Sequence, residues 1–187
     1  MVLPPGVGGG EEHRRVRRLL EGRRGPTVTA DITYLARACE LAARAIADAS
    51  PNPPVGCVLV RDGITLGEGW HHRRGEPHAE VEALRDARTR GLDTRGATAY
   101  VSLEPCNHHG LTPPCSEALI AAEIARVVVG ALDPNPKTAA RGVRRLREAG
   151  VAVEIIEYER AQELIERFAW TIAKPLPYVT LKMAMSL

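Results

Sequence analysis

The chain has 187 residues, of which 44% are hydrophobic and 26% are charged. These proportions are typical of a globular protein and exclude a disordered, collagen-like or membrane-embedded chain, and the length suits one well-buried domain. The formal net charge is +2, and six arginines against three glutamates in residues 1–30 leave the rest of the chain nearly neutral. Since nucleic-acid binders carry a basic field over their folded part, no nucleic-acid partner is expected.

No run of the sequence approaches the roughly 18 apolar residues that a bilayer span requires. The N-terminus lacks the basic-then-apolar order of a signal peptide, so we expect a cytoplasmic protein without a membrane partner. Four cysteines, at positions 39, 57, 106 and 115, are too few and too unevenly spaced for a disulfide scaffold. Metal binding or catalysis is the favoured use of some of them.

The first part of the chain divides into a tail, a helix and a hairpin. Residues 1–28 are rich in Gly, Pro and Arg and are interpreted as a flexible tail, with a nucleic-acid arm or an organelle presequence as alternatives. Helical spacing predicts a first helix from an N-cap at Asp31 to about Ala49, where the Pro-rich segment 50–54 must end it. Two strands, 56–60 and 65–69, flank the hairpin signal Arg61-Asp62-Gly63.

Strands and helices alternate through the rest of the sequence. The predicted elements are a helix over 78–90, a strand over 99–103, a helix over 113–122, a strand over 126–129, a helix over 138–149, a strand over 151–156 and a helix over 160–172. Strands separated by single helices need crossover connections. We therefore predict an α/β fold in which much of the sheet is parallel, helices cover both faces and the first two strands pair antiparallel.

Three side chains have the chemistry of a catalytic zinc site. His78 lies at the start of a predicted helix, and Cys106 and Cys115 lie nine positions apart at the next strand-to-helix transition. Imidazole and thiolate are preferred zinc donors, and three protein ligands leave a fourth position open for water. Free backbone amides at a helix start also favour the thiolate that zinc requires. The sequence therefore predicts that two helix starts converge on one ion.

Glu80, two residues after His78, is the candidate proton shuttle. A carboxylate that is not a ligand can move protons for water activated by zinc, and an H-x-E followed by a Pro-Cys pair is typical of zinc deaminases. The pattern indicates hydrolytic deamination. Two alternatives stay open: a reduced, metal-free pair of cysteines, or a structural zinc with a fourth ligand. The candidates for that ligand are His71, Cys57, His108 and His109, while Cys39 and Cys57 are expected to pack as small hydrophobic residues.

At these residues the chain resembles the deaminase domain of the bifunctional deaminase/reductase of riboflavin biosynthesis, a branch of the cytidine deaminase-like superfamily. The resemblance runs from about Tyr34 to Leu187. Its motifs are Pro51-Asn52-Pro53-Pro54-Val55-Gly56-Cys57, Gly75-Glu76-Pro77-His78-Ala79-Glu80-Val81, Leu103-Glu104-Pro105-Cys106, Thr112-Pro113-Pro114-Cys115 and Asp133-Pro134-Asn135-Pro136.

The resemblance implies a three-layer α/β/α fold with a mixed, largely parallel sheet, and a hydrolase acting on the C–N bonds of cyclic amidines. The implied substrate is 2,5-diamino-6-(5-phosphoribosylamino)pyrimidin-4-one, with one catalytic zinc per chain and a dimeric or tetrameric homo-oligomer. The implied substrate contacts are Asn52, His71, His108, Asp133 and Asn135. For the two asparagines, turn chemistry beside proline is an alternative, and for His71 a solvated loop.

The resemblance also divides the chain into the tail 1–28, the zinc-dependent deaminase domain 29–173 and a segment 174–187 similar to the start of a reductase domain. Three positions depart from the family. Leu111 stands where Lys or Arg usually contacts the phosphate, and Ala140 and Glu123 replace glycines. A divergent deaminase of an unphosphorylated or modified pyrimidine or purine-like substrate is therefore an alternative, and a non-catalytic zinc-stabilised binding protein is another.

Overall fold

Strands and helices alternate along residues 28–136, 138–174 and 176–183, the part of the chain described in a computed structural model of the protein. The elements are α1 (Val28–Ala43), β1 (Gly56–Arg61), β2 (Ile64–Trp70), α2 (Ala79–Thr89), β3 (Thr98–Val101), α3 (Cys115–Ala121), β4 (Arg126–Val129), α4 (Arg141–Glu148), β5 (Ala152–Ile155) and α5 (Glu159–Ala173). Nearly all of the predicted tail lies outside the described residues, and the three-segment division remains a prediction.

The first helix differs from its prediction at both ends. It begins at Val28, so Asp31 lies in its first turn rather than at an N-cap. The Asp31 carboxylate instead accepts hydrogen bonds from Tyr100 (2.8 Å) and Arg126 (2.9 Å), two residues that follow it by 69 and 95 positions. The helix ends at Ala43, and turns continue the buried apolar spacing through Ala45 and Ala49. Because these buried alanines lie in turns, the apolar spacing in the sequence continues past the end of the helix.

The five strands form one mixed sheet in the order β2-β1-β3-β4-β5. β1 pairs antiparallel with both β2 and β3, while β3–β4 and β4–β5 are parallel. Four of these strands therefore run in one direction and β1 runs in the other. The predicted mixed, largely parallel α/β sheet is confirmed, and the predicted hairpin forms through Asp62 (φ 53°) and Gly63 (φ 76°). Positive φ at two successive residues is what a tight hairpin turn requires.

Side chains of the central strands alternate between two buried faces. In β1, Cys57 and Leu59 face the core under α2, α3 and α4, whereas Val58 and Val60 face the core under α1. Burial on both faces is typical of strands sandwiched between helical layers, and three layers result. Among the described helices, none combines the length and the hydropathy that crossing a bilayer would need.

Glycines let the helices approach the sheet closely. A Cβ atom placed on Gly67 of β2 would lie 2.2 Å from the carbonyl oxygen of Ala83, and one on Gly69 would lie 2.3 Å from the Ala83 nitrogen. On the other face, a Cβ on Gly56 would lie 2.0 Å from the carbonyl oxygen of Ala38. Helix α2 therefore rests on β2 with glycine against alanine, and this packing fixes where its first turn lies.

Candidate active site

Three donor atoms converge where the strand ends meet the helix starts. Nδ1 of His78 lies 3.0 Å from Sγ of Cys115 and 3.5 Å from Sγ of Cys106, and the two sulfurs are 3.4 Å apart. Donors around a tetrahedral zinc ion would be about 3.5 Å apart, given Zn–S and Zn–N bonds of roughly 2.3 and 2.0 Å. The cysteines are free thiols. The donor types and their spacing fit zinc, and no fourth His, Cys, Asp or Glu joins this group among the described residues.

The fold delivers each donor from a different segment. His78 is the N-cap residue of α2, Cys106 follows the carboxyl end of β3, and Cys115 is the first residue of α3. The backbone N–H of Cys115 donates to Sγ of Cys106 over 3.3 Å. The contact with the Cys115 thiol, aided by His78, lowers the pKa of Cys106. These contacts favour the thiolate of Cys106, whereas the same contact and burial raise the pKa of the Cys115 thiol.

Nε2 of His78, the ring nitrogen that faces away from the sulfurs, lies 3.3 Å from the hydroxyl of Thr112. With Nδ1 as the ligand toward a metal, Nε2 carries the proton, and its N–H donates a hydrogen bond to the hydroxyl oxygen of Thr112. Such a partner fixes both the tautomer and the ring orientation of a metal-binding histidine. Thr112 belongs to the loop between the two cysteines, so this loop supports all three donors.

Glu80 is buried in the first turn of α2, with only 2% of its surface exposed. Burial, together with the negative charge of a Cys106 thiolate, raises the pKa of this carboxyl from 4.5 to about 7. A carboxyl that titrates near neutral pH can both accept and donate a proton under working conditions. The residue two positions from His78 therefore has the environment expected of an acid–base group.

A cavity of about 600 Å³ opens onto these groups. All five predicted substrate contacts line it, as do His78, Glu80 and Cys106. The remaining described lining residues are Pro53, Val55, Arg74, Gly75, Glu76, Leu103, Glu104, Gly110, Leu111, Thr112, Thr138 and Phe168. The cavity lies at the carboxyl ends of β2, β3 and β4, which is where α/β sheets place ligands. The fold therefore places the predicted substrate contacts in the same cavity as His78, Glu80 and Cys106.

His71 lines the cavity and is hydrogen-bonded to Asn52. The His71 ring is 2% exposed, and burial lowers its pKa. Its Nδ1 lies 3.1 Å from the carbonyl oxygen of Pro77, which can only accept, so Nδ1 carries the proton. Nε2 then accepts from the side-chain amide of Asn52, 3.0 Å away. Both ring nitrogens are occupied, and the alternative of a solvated loop histidine is wrong.

Glu104 belongs to the motif Leu103-Glu104-Pro105-Cys106 but was not predicted as a site residue. Its buried carboxylate accepts four backbone N–H groups: Oε2 from Ala140 (2.9 Å) and Asp133 (3.3 Å), and Oε1 from Gly142 (3.0 Å) and Val143 (3.2 Å). These bonds tie the segment from Asp133 to α4 against the strand end that leads to Cys106. Its position directly before Pro105-Cys106 was the available signal.

The loop that contains Asp133 and Asn135 is held by hydrogen bonds between its own residues. The Asp133 carboxylate accepts hydrogen bonds from the backbone of Asn135 (2.9 Å) and from the hydroxyl of Thr138. Thr138 and Phe168 of α5 line the cavity and were missed, because neither has a spacing pattern that marks a site. His108 and Leu111 lie exposed at the rim, and Leu111 is 74% exposed.

The other two cysteines lie in the hydrophobic core, as predicted. Cys39 is 1% exposed in α1, and Cys57 is fully buried in β1. Burial raises the pKa of the Cys39 thiol to about 12 and raises that of Cys57 well above its usual value. Neither joins the donor group, so both thiols pack as apolar side chains.

Comparisons with known proteins agree with this arrangement. A family model described as the cytidine and deoxycytidylate deaminase zinc-binding region matches residues 28–131. The chain is 48% identical over 125 residues to the diaminohydroxyphosphoribosylamino-pyrimidine deaminase of Buchnera aphidicola subsp. Schizaphis graminum, covering 67% of this chain and 83% of that protein.

Longer relatives match over part of their length. The chain is 52% identical over 158 residues to the riboflavin biosynthesis protein RibD of Escherichia coli, covering 84% of this chain and 42% of RibD. The structure of Acinetobacter baumannii RibD superimposes with a TM-score of 0.74 at 48% identity, over 79% of this chain and 41% of that one. The chain thus spans about two fifths of the length of these relatives.

Proposed function

Because the chain belongs to the cytidine and deoxycytidylate deaminase family, and within it to the riboflavin-biosynthesis deaminases, we propose that it hydrolytically deaminates 2,5-diamino-6-(5-phosphoribosylamino)pyrimidin-4-one. One observation carries the proposal: a His/Cys/Cys donor group and a buried carboxyl, Glu80, meet at the wall of one cavity. The Buchnera relative, whose name states this chemistry, supports the phosphorylated substrate over the unphosphorylated alternative.

The proposed cofactor is one zinc ion per chain, held by His78, Cys106 and Cys115. The fit rests on the donor set, the separations of 3.0–3.5 Å and the absence of a fourth donor in the group within the described residues. When bound, zinc supplies Lewis-acid chemistry that lowers the pKa of coordinated water from 15.7 to about 7. Thr112 keeps the His78 ring oriented for that role.

Glu80 is the proposed proton carrier. Its carboxylate takes a proton from the attacking water and delivers one to the departing amino nitrogen. A C–O bond forms, the exocyclic C–N bond breaks, and one water is consumed for each ammonia released. Burial supports this role, because a carboxyl held away from bulk water exchanges its proton with the substrate rather than with solvent.

Substrate recognition is assigned to the five cavity residues Asn52, His71, His108, Asp133 and Asn135. Asn52 and the Asp133 loop offer amide and carboxylate groups suited to the donors and acceptors of an aminopyrimidinone. His71 acts through Asn52, whose amide it orients. His108 lies exposed at the rim, where it can reach the part of the substrate away from the donor group.

The proposal retains the expectations of a cytoplasmic homo-oligomer, dimeric or tetrameric, and of a deaminase domain over 29–173. Light scattering coupled to size-exclusion chromatography measures the assembly directly. A monomer at micromolar concentration would contradict that part of the proposal without touching the reaction. The elemental zinc content of the same sample gives the number of ions per chain.

Ammonia release from the phosphorylated diaminopyrimidine by the zinc-loaded full chain tests the reaction. We expect turnover by the wild type and a loss of about 10²- to 10⁴-fold in kcat for Glu80→Gln, with zinc content unchanged. Glu82→Gln is the matched control, because Glu82 lies in the same first turn but pairs with Arg85 at 2.9 Å and is absent from the cavity wall.

Three results would contradict the proposal. No ammonia from the zinc-loaded wild type would exclude the reaction. Full activity of Glu80→Gln with intact zinc would remove the assigned proton carrier. Equal rates on the phosphorylated and dephosphorylated substrates would favour the alternative of a divergent deaminase.

A further inference from the structure

The charges on the cavity wall are unbalanced toward acid. Glu76, Glu80, Glu104 and Asp133 line the cavity, and Arg74 is the one arginine or lysine among the described lining residues. A substrate that carries a phosphate brings about two negative charges into this space. A cation on the wall would offset the acidic lining for such a group and contribute charge-assisted hydrogen bonds.

Arg74 and Leu111 lie at the same rim. Cδ1 of Leu111 is 3.9 Å from the position that a Cβ atom on Gly75 would occupy, so the leucine side chain packs over the backbone that directly follows Arg74. Gly75 has a φ of +88°, which turns the chain at this point. Arg74 is therefore placed beside Leu111, which stands where Lys or Arg is usual in the family.

Neighbouring arginines are engaged elsewhere. The Arg73 guanidinium pairs with Glu76 at 3.3 Å, and Arg73 does not line the cavity. Arg141 lines a separate depression of about 360 Å³ together with Arg144 and Arg145. Arg74 itself is exposed and forms no ion pair with any residue that the structure describes. Its guanidinium is free to meet a ligand.

We infer that Arg74 binds the 5′-phosphate and sets the preference for a phosphorylated substrate, taking over the role of a cation at position 111. The inference rests on the proposed function for the identity of the ligand. A guanidinium suits the role because its planar N–H groups can contact two phosphate oxygens at once. Arg74 is a specificity residue and takes no part in proton transfer.

Equilibrium binding separates this inference from turnover. Calorimetry on zinc-loaded Glu80→Gln protein measures affinity for the diaminopyrimidine ribosyl substrate with and without its 5′-phosphate. We expect the phosphorylated form to bind about 10- to 100-fold more tightly, the range given by a charge-assisted contact. Adding Arg74→Ala abolishes that preference and leaves affinity for the dephosphorylated form unchanged. Arg73→Ala, the matched control, retains the preference.

A rescue variant adds a second criterion. Introducing Leu111→Lys into the Arg74→Ala protein restores the phosphate preference, because residue 111 packs on the same rim. Lys137, which lies outside the described residues, is tested in parallel as Lys137→Ala and is expected to retain the preference.

Several outcomes would overturn the inference. These are an unchanged preference in Arg74→Ala, equal weakening of both ligands, loss of the preference in Lys137→Ala instead, or no preference in the parent protein. Failure of the proposed function has a different signature, because it appears as absent ammonia release by the wild type. Phosphate-dependent binding that is lost in Arg74→Ala would support the role of Arg74 even without ammonia release.

Discussion

The side-chain amide of Asn52 donates to Nε2 of His71 over 3.0 Å, and His71 is held in turn by the carbonyl oxygen of Pro77. A buried neutral histidine thus sets the orientation of an amide on the cavity wall. Since Pro77 directly precedes His78, the same chain of contacts links the substrate side of the cavity to the donor group. His71 is a positioning residue.

His71→Leu is expected to lower kcat/KM about 10-fold by releasing the Asn52 amide, an effect equal to one lost oriented hydrogen bond. The measurement is a double-mutant cycle with Asn52→Ala, in which the double variant should be no worse than the more damaged single variant. His72→Ala serves as the control, because His72 stacks on Trp70 and is absent from the cavity wall. Additive losses would show that His71 acts independently of Asn52.

Glu104→Gln is expected to lower the free energy of unfolding by about 3 kcal/mol, because an amide cannot accept four backbone N–H groups and adds two donors of its own. Zinc affinity should fall with stability, since the carboxylate ties the Asp133 loop to the strand end before Cys106. Urea unfolding and competitive chelation measure the two effects. Glu166→Gln, at an exposed position of α5, should leave both unchanged; a stable Glu104→Gln protein would disprove the role.

Ala140→Gly is expected to raise the free energy of unfolding by about 1 kcal/mol. Ala140 has a φ of 59°, a left-handed conformation that glycine adopts without the cost that a Cβ atom brings. The family glycine that Ala140 replaces thus has a conformational reason, and Glu123 (φ 53°) repeats it. Ala139→Gly, one position earlier without a positive φ, should instead destabilise the chain. Equal shifts in urea midpoint for both variants would contradict the explanation.

Stability should fall at acidic pH through Asp31. Burial raises the pKa of this carboxyl, but hydrogen bonds from Arg126 and Tyr100 outweigh it, so the pKa lies below 3.8. A lowered pKa means that the stabilisation is complete above pH 3.8 and is lost as pH falls through the folded value. Arg126→Met should cost about 3 kcal/mol at pH 7, because it strands a buried carboxylate.

Urea unfolding from pH 7 to pH 2.5 checks this prediction. The wild type should lose more stability across the acid range than Arg126→Met, so the two curves converge at low pH. Parallel curves would show that Asp31 is not linked to Arg126 in the folded protein.

Local chemistry made part of this molecule predictable. His78, Glu80, Cys106 and Cys115 have side chains whose types and spacing are typical of zinc deaminases, so the sequence alone predicts them as one group. Their convergence could be anticipated because the carboxyl ends of strands and the starts of helices meet at one edge of an α/β sheet. The hairpin at Asp62-Gly63 was predictable for a similar reason, since its turn is set by two adjacent residues.

The features that were not predicted depend on partners that are distant in the sequence. Asp31 looked like a helix cap because its true partner, Arg126, is 95 residues away. The role of Glu104 was not predicted, because its four hydrogen-bond donors lie 29 to 39 positions later in the chain. The insertion of β1 between β2 and β3 was not predictable either, because the sequence of a strand does not show which strands it pairs with.

The glycine-on-alanine contact between β2 and α2 bears on how this chain can diverge. One methyl group added at Gly67 or Gly69 has no space to occupy, so it must push the helix off the sheet. The helix carries His78 and Glu80 at its first turn, so that push would reach the donor group directly. Packing therefore constrains substitution at these two glycines of β2, although neither of them lines the cavity.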